Sequence, residues 1–205
     1  MTLGIVIILL ANVTGLICIK QIRPVTFALV PLLLFITTIN ELLIIYVIPL
    51  KSKTLFYNVY SLLEIIIWSS IFLFEQAKKY RIITFTFGAL ILIFSIFEIC
   101  LKNGFHSITY RLFSLYLIVN IFIFFSGLIN LKTQHILLRD GKFWIYFGLL
   151  LFHFVFIFYL SALDFKEFRA DKAAILAFRG IINLVNILYY ISISIGLLCL
   201  SFFRQ

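Results

Sequence analysis

Two acidic residues, Glu41 and Glu64, each stand near the middle of a long apolar run, where a titratable side chain could do chemistry. An acidic side chain at the centre of a bilayer costs about 2.5–3.5 kcal/mol on insertion scales, so it usually faces protein or water rather than lipid. Burial raises the proton affinity of a carboxyl group, which makes the pair candidate proton-handling groups. The two residues predict a polar interior within a bundle of transmembrane helices.

The run that contains Glu64 carries the clearest polar pattern. Tyr57, Tyr60, Ser61, Glu64 and Trp68 fall at spacings of 3, 4, 7 and 11 residues from the first, which places them on one face of a helix. The opposite face is Leu, Ile and Phe, as expected for contact with lipid. We expect this stripe to face the bundle interior. The alternative is that its aromatic ends anchor the helix at the membrane surface and that its polar groups only hold helices together.

A second polar stripe occurs in the last apolar run. It has a similar spacing and consists of Arg179, Asn183, Asn186 and Tyr190. Such groups can form hydrogen bonds between transmembrane helices. Arg179 has two possible roles: an ion pair with Glu41 or Glu64, or contact with the lipid headgroups through its long side chain.

Counting residues from the loops places several of these groups at one depth. Glu41, Glu64 and Arg179 lie about 7 to 10 residues from the same membrane side, which is roughly 10–15 Å at the rise of an α-helix. Three residues of the neighbouring helices complete this level: Tyr116, Asn120 and, nearer the midplane, His153. The count predicts a polar cavity that binds a small ligand or protons and opens toward that side.

The histidines do not predict a metal site. His106 and His135 lie on opposite membrane sides and His153 lies between them, whereas catalytic zinc needs three protein ligands at one place. His-Glu-x-x-His and Gly-x-Ser-x-Gly motifs are absent, and no lysine stands within the last long helix to hold a retinal. We therefore expect no metal and no cofactor, and the acid pair is a proton-handling feature rather than evidence of an enzyme.

Two further acids stand near predicted helix ends. Glu75 precedes Lys79 by four residues, and Glu98 precedes Lys102 by four, the favoured order for an ion pair on one helix. Both are expected to be surface pairs.

The composition explains why the helices must lie in a membrane. Of 205 residues, 64% are hydrophobic and 12% are charged, against about 25% charged in soluble domains. The mean hydropathy is +1.18. Charged interruptions divide the chain into apolar runs that predict an all-α, up-down bundle of about seven transmembrane helices, a polytopic integral membrane protein in a single domain over residues 1–205. The predicted helices are about 2–19, 25–50, 55–76, 82–101, 109–131, 143–163 and 173–203.

The basic residues lie almost wholly between the apolar runs. The net charge of +9 is therefore expected to meet lipid headgroups rather than nucleic acid. Nine Lys and Arg fall on one predicted side and seven on the other, which favours a plasma (inner) membrane location with the N-terminus outside. The polar cavity would then open on the extracytoplasmic side.

Three functional classes fit these features. The preferred hypothesis is a receptor or sensor module that binds a small ligand in the cavity and signals through a separate partner protein. The second is a small-molecule or proton-coupled transporter, in which Glu41, Glu64 and His153 carry protons. The third is a membrane subunit or pore-forming effector of a larger assembly, including a homo-oligomer. Few Gly and Pro interrupt the runs, which modestly favours a sensor over a transporter with broken helices.

Overall fold

The computed structural model describes residues 3–49, 52–101, 107–129 and 137–202. Within these ranges the regular structure is entirely helical, as expected for apolar segments that must satisfy their backbone groups internally in lipid. The α-helices are α1 Leu3–Cys18, α2 Leu29–Tyr46, α3 Lys53–Glu75, α4 Lys78–Leu101, α5 Ser107–Ile129, α6 Gly141–Ala162, α7 Lys166–Ala170 and α8 Lys172–Phe202. Short 3-10 helices at Val25–Ala28 and Leu137–Arg139 lead into α2 and α6.

Six described helices are long and apolar enough to cross a membrane. They are α2 with its preceding 3-10 turn, α3, α4, α5, α6 and α8. The prediction of an all-α membrane bundle is confirmed at this level. The apolar helix α1 has 16 residues, or about 24 Å, and is shorter than the roughly 30 Å hydrocarbon core. The predicted count of seven spanning helices therefore stays a prediction.

The helices form a ring, with one helix outside it. Around the ring, α1 packs on α2, α2 on α3, α3 on α5, α5 on α6, α6 on α8, and α8 again on α1. Helix α4 packs on α3 and α5 and lies outside the ring. Side chains that point inward from α2, α3, α5 and α8 consequently meet at the centre of the bundle.

Glycines allow α6 and α8 to approach closely. A Cβ atom on Gly148 would lie 2.8 Å from the Cβ of Ser192, and one on Gly196 would lie 2.5 Å from the Cγ1 of Ile145. Small residues at such a crossing let two backbones pack tightly in a membrane, where helices gain little from hydrophobic burial against each other. This contact fixes the register of α6 and α8.

Polar side chains connect other helices. The Asn12 amide of α1 donates to the Leu34 carbonyl at 3.0 Å and to the Thr38 hydroxyl, both on α2. Such bonds between transmembrane helices contribute on average about 0.6 kcal/mol each. They hold the short α1 against α2 within the ring.

The predicted surface pair of Glu75 with Lys79 is wrong, and Glu98 lies in the interior rather than at the predicted surface. Glu75 forms an ion pair with Lys142 of α6 at 2.5 Å and accepts a hydrogen bond from Thr26 at 2.5 Å. Glu98 is buried and accepts a hydrogen bond from Thr109 of α5 at 2.5 Å; its expected partner, Lys102, is outside the described residues. Both acids face other helices because the packing of α3 and α4 turns them inward.

Candidate functional site

Glu64 lies in the interior of the ring. Its side chain is only 7% exposed, on the face of α3 that also buries Ser61 and Trp68. The lipid-facing side of the same helix presents residues such as Leu63 and Ile66. Among the described residues, none forms a hydrogen bond or an ion pair with the Glu64 carboxyl group. Burying a carboxyl group costs free energy unless a hydrogen bond or an opposite charge compensates for the lost water.

Four tyrosines lie within electrostatic range of Glu64. Tyr60 of α3, Tyr110 of α5, and Tyr189 and Tyr190 of α8 all interact electrostatically with its carboxyl group. Tyr189 and Tyr190 are each 6% exposed, and their ring centroids lie 4.9 Å apart. The acid therefore lies within an aromatic environment built from three helices.

Glu41 belongs to the same environment. It is half-buried on α2 and interacts electrostatically with Tyr57, Tyr110 and Tyr190. We call the whole group the glutamate–tyrosine cluster: Glu41, Tyr57, Tyr60, Glu64, Tyr110, Tyr189 and Tyr190. Four of its members, Glu41, Tyr57, Tyr60 and Glu64, are predicted site residues, and Tyr190 is a fifth member that the sequence singles out in the second polar stripe.

Hydrogen bonds hold two of the tyrosine rings. The Thr37 hydroxyl donates to the Leu33 carbonyl at 2.8 Å, so the Tyr60 hydroxyl is the donor in its 2.8 Å bond to Thr37. The Tyr110 hydroxyl donates to the Tyr57 carbonyl at 3.2 Å. Because their hydroxyl hydrogens are used in this way, Tyr60 and Tyr110 contribute their rings, rather than free hydroxyl donors, to the space around Glu64.

The predicted residues on α8 divide between its two sides. Arg179 and Asn183 are exposed, Asn186 is half-buried, and Tyr190 is buried. The ring of Phe178 stacks on Tyr159, three residues before the end of α6, so Arg179 lies close to the membrane end of the bundle. Within the described chain Arg179 forms no ion pair with either acid. This position suits contact with lipid headgroups.

Tyr116 and Asn120 lie away from the cluster. The Asn120 side-chain oxygen accepts hydrogen bonds from the Gln76 amide at 2.7 Å and from the Thr84 hydroxyl at 2.9 Å. Gln76 directly follows the last residue of α3, which places Asn120 in the opposite half of the bundle. Tyr116 donates to the Thr84 carbonyl at 3.3 Å. The predicted common depth of Asn120 with Glu64 is therefore wrong, since Asn120 contacts Gln76, twelve residues beyond Glu64 along the chain.

His153 lies beside the cluster but does not enter it in the described contacts. It is 1% exposed, and its Nδ1 lies 3.0 Å from the Ser114 hydroxyl. Its Nε2 is buried and has no hydrogen-bond partner among the described residues. The ring makes an edge contact with Phe152, which in turn stacks on Tyr189. His153 thus packs behind the aromatic wall that faces Glu64.

An apolar layer separates the cluster from the polar group around Asn120. It contains Trp68 of α3 and Phe113 and Leu117 of α5, each fully buried. Along these two helices they lie between the cluster residues Glu64 and Tyr110 on one side and Gln76 and Asn120 on the other. Apolar side chains of α3 and α5 therefore fill the space between the two polar regions.

Tyr110 and Tyr189 are the cluster members that sequence reasoning missed. Tyr189 is the first of two adjacent tyrosines in an apolar run, and Tyr110 is near the start of its helix, so each resembles a membrane-surface aromatic. Only the meeting of α3, α5 and α8 shows that both surround an acid.

Within the described part of the chain, no group of three or more His, Cys, Asp and Glu side chains could hold a metal ion. No protein-family model matches the sequence, and no significant match was found among curated proteins or solved structures.

Proposed function

We propose that this protein is a membrane receptor or sensor module that binds a small, positively charged ligand at the glutamate–tyrosine cluster. The observation that carries the proposal is the buried carboxyl group of Glu64, which has no hydrogen-bond partner among the described residues and lies within electrostatic range of tyrosines from three helices. An acidic group buried in this way reduces the stability of the fold, and such groups are typical of functional sites inside membrane proteins.

The chemistry of the cluster favours a cation of the ammonium type. Tyrosine rings attract cations over their faces, and quaternary ammonium groups are commonly bound by several aromatic rings together. Two arginines lie on the helices that carry the cluster tyrosines of α5 and α8. Arg111 forms an ion pair with Asp164, and Arg179 is exposed. The charge of a ligand would therefore meet Glu41 and Glu64 without competition from either of these side chains.

The apolar layer supports sensing over transport. A transporter must give its substrate access from both sides, and many build their sites from interrupted helices. Here Trp68, Phe113 and Leu117 fill the interior beyond the cluster, while α3, α5, α6 and α8 continue without a break. A ligand that binds at the cluster could change the packing of this layer, and hence the opposite end of the bundle.

The signal requires a partner, and α8 offers a place for one. Asn183 is exposed on the outer face of α8 at about the level of Phe156, inside the span. A polar amide that faces lipid gains a hydrogen bond when a second helix covers it. We propose that a separate signalling subunit, or another copy of this chain, contacts α8 there. The same contact would serve the alternative function of a subunit in a larger assembly.

The proposal includes an orientation of the protein in the membrane. With α1 as a seventh span and the N-terminus outside the plasma (inner) membrane, the cluster lies in the extracytoplasmic half, where it can sample external ligands. The greater number of basic residues on the opposite side supports this orientation.

Tryptophan fluorescence provides a direct test of ligand binding. The chain has two tryptophans, and Trp68 lies one helical turn from Glu64. In a Trp144→Phe background, Trp68 becomes the sole tryptophan reporter. Choline, tetramethylammonium and ethanolamine are titrated separately into the protein in detergent. We expect at least one of these cations to change the Trp68 emission in a saturable way. The matched control is 3,3-dimethylbutan-1-ol, the uncharged analogue of choline.

The results separate the competing functions. Saturable binding of a cation, with no uptake of that radiolabelled cation into proteoliposomes, supports the receptor. Uptake would assign the protein to transport instead. A response to the neutral alcohol equal to that for choline, or no saturable response to any of the cations, would contradict a cation site at the cluster.

A further inference from the structure

A separate cleft opens at the other end of the bundle, where α3 turns into α4. It has a volume of about 590 Å³, within the size range of small-molecule sites. The end of α3, the start of α4, the end of α5 and Tyr146 of α6 form its walls. None of the glutamate–tyrosine cluster residues lines it.

The inner wall of the cleft is aromatic and apolar. Phe72, Phe124 and Tyr146 lie there, with ring centroids 5.2 Å apart for Phe72 and Tyr146 and 4.5 Å apart for Phe124 and Tyr146. The Tyr146 hydroxyl is buried and has no hydrogen-bond partner in the described part of the chain. Ile123 and Leu128 of α5 extend the apolar wall. This apolar wall is suited to contact with a hydrocarbon chain.

The rim of the cleft is positively charged. Glu75 is neutralised by Lys142, which leaves the charges of Lys79 and Arg81 unmatched by any ion pair among the described residues. Arg81 is held in place because its Nε donates to the Gln76 carbonyl at 3.1 Å and its Nη2 to the Phe74 carbonyl at 3.3 Å. Two of its five N–H donors are used, so three remain for an anion.

We propose that this cleft binds an anionic phospholipid, with the phosphate at Lys79 and Arg81 and an acyl chain along Phe72, Phe124 and Ile123. A basic rim next to an apolar wall at a helix end matches both parts of such a molecule, and basic pockets between transmembrane helices are known to bind lipid headgroups. In the orientation that the basic-residue count favours, this end of the bundle lies on the cytoplasmic side, where anionic lipids are enriched. The proposal does not depend on the function of the glutamate–tyrosine cluster.

Native mass spectrometry of delipidated protein tests the proposal. Phosphatidylglycerol and phosphatidylcholine with the same acyl chains are added separately, and bound lipid is counted. We expect phosphatidylglycerol to bind more tightly. Each basic residue near a lipid surface contributes a factor of about five in affinity, so the double variant K79Q/R81Q should bind phosphatidylglycerol about 30-fold more weakly, with phosphatidylcholine unchanged.

The matched control is K166Q/R169Q, which removes one exposed lysine and one exposed arginine from α7 at the opposite end of the bundle. Its phosphatidylglycerol binding should equal that of the unmodified protein. A second variant, Gly127→Phe, fills the cleft without altering charge, since a Cβ there meets no atom within 4 Å. It should also lose bound phosphatidylglycerol.

Three results would overturn the proposal. They are equal losses for the two double variants, equal binding of the two lipids by the unmodified protein, and retention of phosphatidylglycerol by Gly127→Phe. Displacement of the lipid by millimolar inorganic phosphate would likewise overturn it, since it would assign the rim to a soluble anion.

Discussion

Replacing Glu64 by Gln removes the charge at the centre of the proposed ligand site while keeping the shape of the side chain. The Glu64 carboxyl group accepts no hydrogen bond from the described residues, so the amide breaks none of the described contacts. We expect the variant to insert and fold, with an unfolding temperature in detergent equal to or above that of the unmodified protein, because burying an amide costs less than burying a charge.

The effect on ligand binding should be large. Two opposite unit charges about 4 Å apart interact by about 4 kcal/mol at an effective dielectric constant near 20, and removing one member of a buried pair costs about 2–5 kcal/mol. Taking about 3 kcal/mol, the dissociation constant of a bound ammonium ion rises roughly 150-fold. The tyrosine rings remain, so weak binding persists rather than disappears.

Titration of Trp68 fluorescence with the best cation measures this change. Glu167→Gln is the matched control, because Glu167 carries the same charge at the same end of the bundle but is exposed on α7. It should leave the dissociation constant unaltered. If Glu64→Gln binds the cation within about threefold of the unmodified protein, the reasoning that assigns the ligand charge to Glu64 is refuted.

Three further substitutions test how the bundle is held together, each read from thermal unfolding in detergent. Gly196→Ala should destabilise the protein by about 1–3 kcal/mol, because the new Cβ overlaps α6, whereas Gly180→Ala should be neutral or slightly stabilising. Lys142→Met should destabilise by up to about 3–5 kcal/mol because Glu75 is left unpaired, and adding Glu75→Gln should recover most of the loss. Asn12→Leu should cost about 0.6–1.7 kcal/mol by removing the bond between α1 and α2.

Each of these expectations has a clear contrary result. Equal stability of the two glycine variants would show that α6 and α8 do not rely on close approach at Gly196. A double variant no more stable than Lys142→Met would mean that the unpaired acid is not the cause of the loss. An unaltered unfolding temperature for Asn12→Leu would show that α1 is held by apolar packing alone.

The helical architecture was predictable because it depends on local sequence. Long apolar runs bounded by lysine and arginine leave the backbone no other way to satisfy its hydrogen bonds in lipid. The helix ends were less predictable. Helix α4 begins at Lys78 rather than near residue 82, because basic side chains at the headgroup level continue a helix as easily as they end it.

Contacts between distant helices could not be obtained from spacing. The favoured i to i+4 order predicted that Glu75 would pair with Lys79, but the partner is Lys142, which α6 brings to the end of α3. The depth of Asn120 was misjudged for a related reason: its contact with Gln76 joins two helices and cannot be read from residue counts along one of them. Glu64 was the strongest sequence signal because an acid in an apolar run is informative wherever its neighbours lie.

The length of α8 has a mechanical consequence. Its 31 residues extend about 46 Å, roughly 16 Å more than the hydrocarbon core, and no proline interrupts it. Tyr189 and Tyr190 lie near its middle and Gly196 lies farther along. A helix of this length without a proline is stiff, so a tilt of a few degrees at the tyrosines would displace its two ends in opposite directions. The tight α6 crossing makes α6 follow that motion, so the two helices would move as one unit.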